Sequence, residues 1–315
     1  MQQVINFIYA AVLAGTPLLF GTLGEILTEK VGNLNLGVEG MMFMGAAVGF
    51  ACGYYTDSAL LAVLGGFAAG ALGGLIYAFL TVTLKANQNV TGLTLTIFGV
   101  GFGNMLGDYI MRHSPGNAAF VSEKVKAAFA KLNVPGISDL PFAGKLFFQY
   151  NVLVYLAIAI AILMYIFLQK TQAGLNLRAV GENPAAADAV SVPVTRYKYL
   201  AICVGGGISG LGGVYVSMTT TGGTWVYNCV NGLGWIAVAL VIFAAWSPAK
   251  AIVGSYVFGG LSVLRHYVVL KIPVAIYAML PFAATIVVLL VTSVRQSREK
   301  LQPKGCGINY DREER

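Results

Sequence analysis

Charge is scarce in this chain. Lys and Arg number 20 and Asp and Glu 13 among 315 residues, so 10% of the sequence is charged, against about 25% in a soluble domain. That shortfall excludes an ordinary soluble fold. Histidine is rarer still: His113 and His266 are the two present, each beside the end of an apolar run. The four cysteines (Cys52, Cys203, Cys229 and Cys306) have no CxxC or other metal spacing. Three of them lie in or beside apolar segments, where Cys acts as a small hydrophobe. No GxxxxGK[ST], HExxH or nucleophile-elbow pattern occurs. Nor does a series of acids sit in mid-span, as a proton relay needs. These absences argue against an enzyme, against a metal or cofactor bound by this chain, and against an ion-coupled pump.

What the chain has instead is apolar length. Hydrophobic residues make up 57% and the mean hydropathy is +0.74. No charge occurs within 1–24, 40–56, 58–84, 86–107, 146–169, 199–249, 251–264 or 272–294. A spanning helix needs roughly 20 apolar residues, so the windows predict an all-α, polytopic transmembrane helix bundle of 8–10 spans. Nine are counted, at about 4–27, 37–55, 58–84, 90–111, 148–169, 198–219, 231–246, 249–268 and 273–293, with broken or re-entrant helices where polar residues intervene. The first run lacks a basic leader and reads as a span, not a cleavable signal.

Basic residues set the orientation, because cytoplasmic loops collect Lys and Arg. The tail 295–315 and the loop 170–198 are both basic and are placed inside, together with Lys30, Lys85 and Lys250. This gives 13 basic residues inside and 7 outside out of the 20. The C-terminus is then cytoplasmic, the N-terminus external, and 1–294 a transmembrane domain with an external loop at 112–147. In that loop Val121, Val125, Ala128, Phe129 and Leu132 recur at helical spacing behind a capping Ser122. They predict a short amphipathic helix on the membrane surface.

Four polar interruptions remain. Thr28–Gly40 sets two acids, Asn33, Asn35 and three glycines between apolar runs; Gly-rich polar backbone at membrane depth is tolerated only where it is buried in protein or lines a cavity. Glu39 in particular would be costly facing lipid. Asn87, Gln88 and Asn89 open the fourth span, either as helix caps or as path lining. In 223–235, Trp225, Tyr227, Asn228 and Trp235 combine aromatic rings with amides, as interface anchors or as rings able to stack on a planar base. Asn228, Gly232 and Gly234 repeat the offsets of Asn33, Gly37 and Glu39, a sign of internal repetition. The inside loop reads Gly181-Glu182-Asn183-Pro184-Ala185-Ala186-Ala187-Asp188. Asn183 suits an N-cap, Pro184 the first helical position, and the alanines the helix itself. Such a helix, outside the subunit's own core, is shaped to be held by another protein.

Together these segments resemble the permease subunits of bacterial ABC importers for sugars, branched-chain amino acids and nucleosides. The likeness is closest to nucleoside permeases that work with basic-membrane-protein-type lipoproteins. It rests on Thr28–Met42 (TEKxGxxNLGxEGMM in the family), Ala86–Leu95 (ANQxxSGLALN), Gly181–Val192 (GxNPxAAxxxGI) and Ser209–Gly213 (SGxLAGLAG), and it covers nearly the whole chain. Ser191 stands where the family has Gly, so the loop is expected to turn differently. Thr91 and Thr96 replace Ser and Asn, and the second change weakens any substrate contact carried over to that position. The resemblance implies a bacterial cell-membrane protein and a second permease subunit, with this chain the shorter partner. It further implies cytoplasmic ATPase subunits that hold ATP and Mg and grip 183–190, an external lipoprotein, and no nucleic acid. Asn33, Asn35, Glu39, Asn87, Asn89, Trp225 and Asn228 are the path candidates. Gly181, Glu182, Asn183, Pro184, Ala186, Ala187 and Asp188 are the ATPase-coupling candidates. An ion-coupled secondary transporter is the reading from another class.

Overall fold

The computed structural model describes residues 2–132, 146, 148–268, 279–287, 290 and 302–311. Part of the expected external loop 112–147, most of the ninth expected span and the tail's two ends lie outside the described residues. Among the described residues the regular structure is helical, with one isolated antiparallel bridge between Phe120 and Thr224.

The helices in chain order are α1 Gln2–Lys30, α2 Val38–Thr56, α3 Ala59–Ala78 (continued by a π turn to Thr83), α4 Gln88–Arg112, α5 Glu123–Ala128, α6 Val152–Lys170, α7 Gln172–Glu182, α8 Pro184–Ala189, α9 Val194–Tyr215 (continued by a π turn to Thr220), α10 Leu233–Phe243 and α11 Pro248–Val263. Side chains that appear in the sequence just ahead of the apolar runs start several of them. Ser58, Asn87, Asn151 and Thr171 accept from the backbone N–H groups of Leu61, Val90, Val154 and Gly174, satisfying donors that a helix start leaves free.

Among the described residues five helices are long and apolar enough to cross a bilayer: Gln2–Lys30, Ala59–Thr83, Gln88–Arg112, Val152–Lys170 and Val194–Thr220. The expected span 231–246 is different. Its helix α10 has 11 residues and reaches about 17 Å, roughly half of the ~30 Å hydrocarbon core. Residues 221–232 ahead of it are irregular chain.

α9 lies at the centre, packed by α1, α2 and α3 on different faces. Glycine makes this possible. A Cβ on Gly206 would fall 2.5 Å from the Gly70 carbonyl oxygen of α3, and one on Gly213 would fall 1.8 Å from the Met42 carbonyl oxygen of α2. In lipid, where apolar burial drives little association, such close backbone contact carries helix packing. Lys198, assigned to a basic loop by the sequence, is buried in α9.

α5 is shorter than expected, since Val121, Phe129 and Leu132 lie outside it, and it lies against protein instead of the membrane surface. Val121, Val125 and Phe129 are buried in the main core, and the Val121 N–H donates to the Gly223 carbonyl at 2.9 Å. The expected cap is corrected as well: the Ser122 hydroxyl makes no capping bond. α5 therefore covers the start of the irregular 221–232 segment.

Candidate functional site

Residues 31–37 form the first break, between α1 and α2. Every turn of it is held by its own chain. The Asn35 N–H donates to Glu25 Oε1 at 2.9 Å, and the Gly37 N–H to Asn35 Oδ1 at 2.8 Å. The Leu34 N–H donates to Gln88 Oε1 at 2.8 Å, while its carbonyl accepts from the Tyr77 hydroxyl at 2.5 Å. Thr96 donates to the Leu36 carbonyl at 2.9 Å, so the threonine that departs from the family pattern serves the backbone of this break. Asn33 and Asn35 are 0% and 2% exposed. Asn33 donates to Thr81 Oγ1 at 3.4 Å. Backbone freed from helical bonding at this depth must be satisfied internally, and these bonds meet most of it, although the buried Asn33 Oδ1 and Glu25 Oε2 have no hydrogen-bond partner among the described residues.

Residues 221–232 form the second break, and one face of it is open. Val226 and Tyr227 are 45% and 60% exposed and Trp235 38%; Asn228 and Asn231 are exposed too. Asn228, Asn231 and Gly232 take left-handed backbone conformations, with φ of 53°, 47° and 87°. Asn tolerates that region better than most residues and Gly best of all. The segment is pinned from behind. Asn104 of α4 donates from Nδ2 to Asn228 Oδ1 at 2.8 Å and accepts from the Asn228 N–H at 3.2 Å. Trp225 is buried among Phe43, Phe50 and Gly107, where its indole N–H has no partner.

The two breaks meet at Glu39. Its carboxylate accepts from the Gly232 N–H at 2.7 Å and the Gly234 N–H at 2.6 Å. A side chain from the first turn of α2 thus caps the start of α10. Gly37 and Gly232 occupy the equivalent position immediately before each helix, so the repeated Asn/Gly offsets in the sequence correspond to two helix starts brought together. At its other end, α10 leads to Trp246, whose indole donates to Glu29 Oε2 at 2.6 Å. Asn87 caps α4 by accepting from the Val90 N–H at 3.1 Å, and Asn87 and Asn89 are both exposed. The structure therefore brings Glu39, Trp225 and Asn228 into one region with Asn104. It leaves Asn87 and Asn89 apart from them, beside the tail.

The third feature is α7–α8. Asn183 Oδ1 accepts from the Ala186 N–H at 3.0 Å and Pro184 takes the first helical position. Glu182, Asn183 and Ala186 are exposed, while Gly181 and Ala187 are buried. Ser191 sits at φ 63°, its N–H donating to the Asp188 carbonyl at 2.9 Å and the Val192 N–H to the Ala187 carbonyl at 3.0 Å. This is the glycine-type helix ending. The loop turns as a glycine would make it turn, contrary to the sequence expectation, and Ser191 bears a cost of about 1 kcal/mol.

The loop is also not free of its own chain. Residues 302–311 lie along it: the Gly305 N–H donates to the Gly181 carbonyl at 2.9 Å, and the Tyr310 hydroxyl to Asp188 Oδ2 at 2.9 Å. Between loop and tail is a cleft of about 310 Å³ that includes Asn183, Pro184, Ile308 and Tyr310. Burial, and after it the nearby Glu29, push the Cys306 thiol upward from its ordinary pKa.

The family described as "Branched-chain amino acid transport system / permease component" matches residues 7–289. The chain belongs to this permease family. The guanosine ABC transporter permease protein NupQ of Bacillus subtilis is 32% identical, over 98% of this chain and 97% of its own. The nucleoside ABC transporter permease protein NupC of Lactococcus lactis is also 32% identical, over 94% and 93%. A Haloferax volcanii protein provisionally named glucose ABC transporter permease TsgC13 is 37% identical over 84% of this chain and 78% of its own. Among solved structures, an inward-facing ABC transporter provisionally assigned to the metal-chelate type aligns with a TM-score of 0.46 at 15% identity, over 90% of this chain and 85% of that one.

For this permease, sequence reasoning missed Asn104, whose contact lies 124 residues away in the chain. Nothing local marks an Asn inside an apolar helix as a partner of a distant break. Missed too was the tail as a partner of the loop, since 302–311 carries no helical period and no motif.

Proposed function

We propose that this permease is the membrane-spanning subunit of an ATP-binding-cassette importer that translocates nucleosides. The reading rests on the second break. Irregular backbone is not found against lipid, yet Tyr227, Asn228, Asn231 and Trp235 share an exposed stretch at the start of a half-length helix. A water-filled path, closed on its other side by a second permease subunit, satisfies that backbone. Aromatic rings with neighbouring amides suit a ligand that has a planar base and a hydroxylated sugar, since stacking on a base is worth about 1–3 kcal/mol. The full-length likeness to guanosine and nucleoside permeases agrees with this.

ATP and Mg belong to separate cytoplasmic ATPase subunits, which hold α8 by its exposed residues. An external lipoprotein delivers the substrate, and nucleotide binding biases the permease pair between inward- and outward-open states. The permease itself carries out no covalent chemistry.

The test is ATP-driven uptake of labelled guanosine by the reconstituted importer, with unlabelled glucose and ribose as competitors. Guanosine uptake that glucose leaves untouched is expected. Glucose uptake without guanosine uptake establishes the second reading, a sugar permease, which the 37% identity to the glucose-named relative favours. Glu182→Ala with Asn183→Ala is expected to leave hydrolysis running without uptake; normal uptake in that double variant overturns the coupling role.

A further inference from the structure

We infer that the C-terminal segment 302–311 is a transmission strap, joining α8 to the membrane-embedded break at 31–37 through Tyr310, Asn309 and Gln88. This inference rests on the coupling role proposed for α8.

The connection can be followed atom by atom. Tyr310 donates to Asp188 Oδ2 on α8 at 2.9 Å. The adjacent Asn309 accepts at Oδ1 from Gln88 Nε2 at 3.0 Å, and donates from Nδ2 to the carbonyls of Lys85 and Ala86 at 2.6 and 3.0 Å. Gln88 then accepts at Oε1 from the Leu34 N–H at 2.8 Å. Both ends of one Gln amide are thus used, one on the tail and one on the break. Asp311 forms an ion pair with Lys85, and Gly305 holds the Gly181 carbonyl. These bonds fix the strap at both α7–α8 and the α3–α4 junction.

Coupling between distant sites needs an element with more than one arrangement that both ends can bias. Long packed helices resist such change. On this side of the bundle the described backbone outside long helices includes α8, the 31–37 break, the α3–α4 junction and the strap that touches all of them. Within the described chain, α8 is joined to the bundle covalently through α7 and α9; the strap adds a direct route to the start of α4 and to Leu34. The same bonds explain why an otherwise irregular segment holds one course here. Asn309 satisfies two carbonyls at the end of the π turn after α3, where helical donors have run out.

Two measurements test the strap with Tyr310→Phe and Asn309→Ala in the full chain. The first is hydrogen exchange at the backbone amides of 33–37 in the purified permease. Tyr310→Phe removes only the bond to α8, so a purely local role leaves Leu34 and Asn35 unchanged. The strap requires their exchange to rise by about three- to tenfold, as expected for losing a bond of about 1 kcal/mol. The second is guanosine uptake per ATP hydrolysed in the reconstituted importer, which should fall in both variants by about the same factor while the ATPase still co-purifies. Unchanged exchange at Leu34 in Tyr310→Phe overturns the inference, as does an unchanged uptake-to-ATP ratio in both variants. Loss of ATPase co-purification also overturns it, by making the strap a docking contact instead. If the wild-type importer takes up no guanosine, the functional reading falls, and the exchange measurement alone decides the strap.

Discussion

Residues 31–37 and 221–232 both interrupt apolar helices, both carry asparagine and glycine, and both lead into a helix preceded by glycine. Their surroundings divide them. In the first break the asparagines are buried and the chain's own side chains hold the backbone: Glu25, Asn35 and Gln88 each accept from an N–H of 34–37, and Tyr77 and Thr96 each donate to a carbonyl there. In the second, one side is pinned by Asn104 and by packing around Trp225, while Tyr227, Asn228, Asn231 and Trp235 stay exposed. Polar composition alone therefore does not distinguish a sealed joint from an open one. What distinguishes them is whether the subunit itself supplies the partners.

The strongest way to break this comparison is at their meeting point. Glu39→Ala removes both acceptors at the start of α10 and leaves the Gly232 and Gly234 donors unmet. A loss of about 3 kcal/mol is expected, seen as a lower thermal midpoint of the purified protein. Glu39→Gln, which keeps one carbonyl acceptor, should recover part of it. Equal stability of Glu39→Ala and wild type would remove the idea that the breaks support each other.

Next in size is Gly107→Ala. Its Cβ would lie 1.9 Å from the Trp225 ring, so the indole and the second break must shift. Overpacking of this kind costs about 1–3 kcal/mol. Uptake should fall more than stability does, because the open face moves with Trp225.

A matched pair sharpens the contrast further. Asn35→Ala leaves the buried Gly37 N–H without its acceptor and should cost about 2 kcal/mol, with residual uptake tracking the amount of folded protein. Asn228→Ala leaves the Asn104 amide without its acceptor and puts Ala at a left-handed position, and should also cost about 2 kcal/mol, but with uptake per folded molecule reduced severalfold. Interchanged outcomes would reverse the assignment of sealed joint and path wall.

The smallest effect concerns Cys306 in the tail. Burial raises its thiol pKa, so the thiolate fraction near pH 8 is low and alkylation slow. The rate should climb as pH rises toward 9 without levelling, and Asn309→Ala should accelerate it by loosening the strap. A wild-type rate equal to that of a free thiol would show that the tail does not hold its place against the bundle.

Much of this was legible in the sequence. Charge-free windows located the helices because burying charge in lipid is expensive at every position, whatever the neighbours. The caps at Asn87 and Asn183 were legible because a cap acts on backbone three residues away. The shared Asn and Gly offsets of the two breaks were visible, though not their consequence. The Ser191 turn shows a different limit: a residue preference of about 1 kcal/mol yielded to the bonds that close α8 on either side of it.

The sequence by itself determined that this is a helical membrane bundle, where its interruptions lie, and that the 181–188 loop begins a short helix. These follow from local chemistry, the cost of charge in hydrocarbon and the needs of helix ends. Only the tertiary structure decided which interruption is sealed and which is open, that Glu39 caps a helix formed 193 residues later, and that the tail lies on the loop. Those outcomes depend on which distant donors and acceptors are brought within 3 Å or so of one another, and spacing along the chain does not encode that.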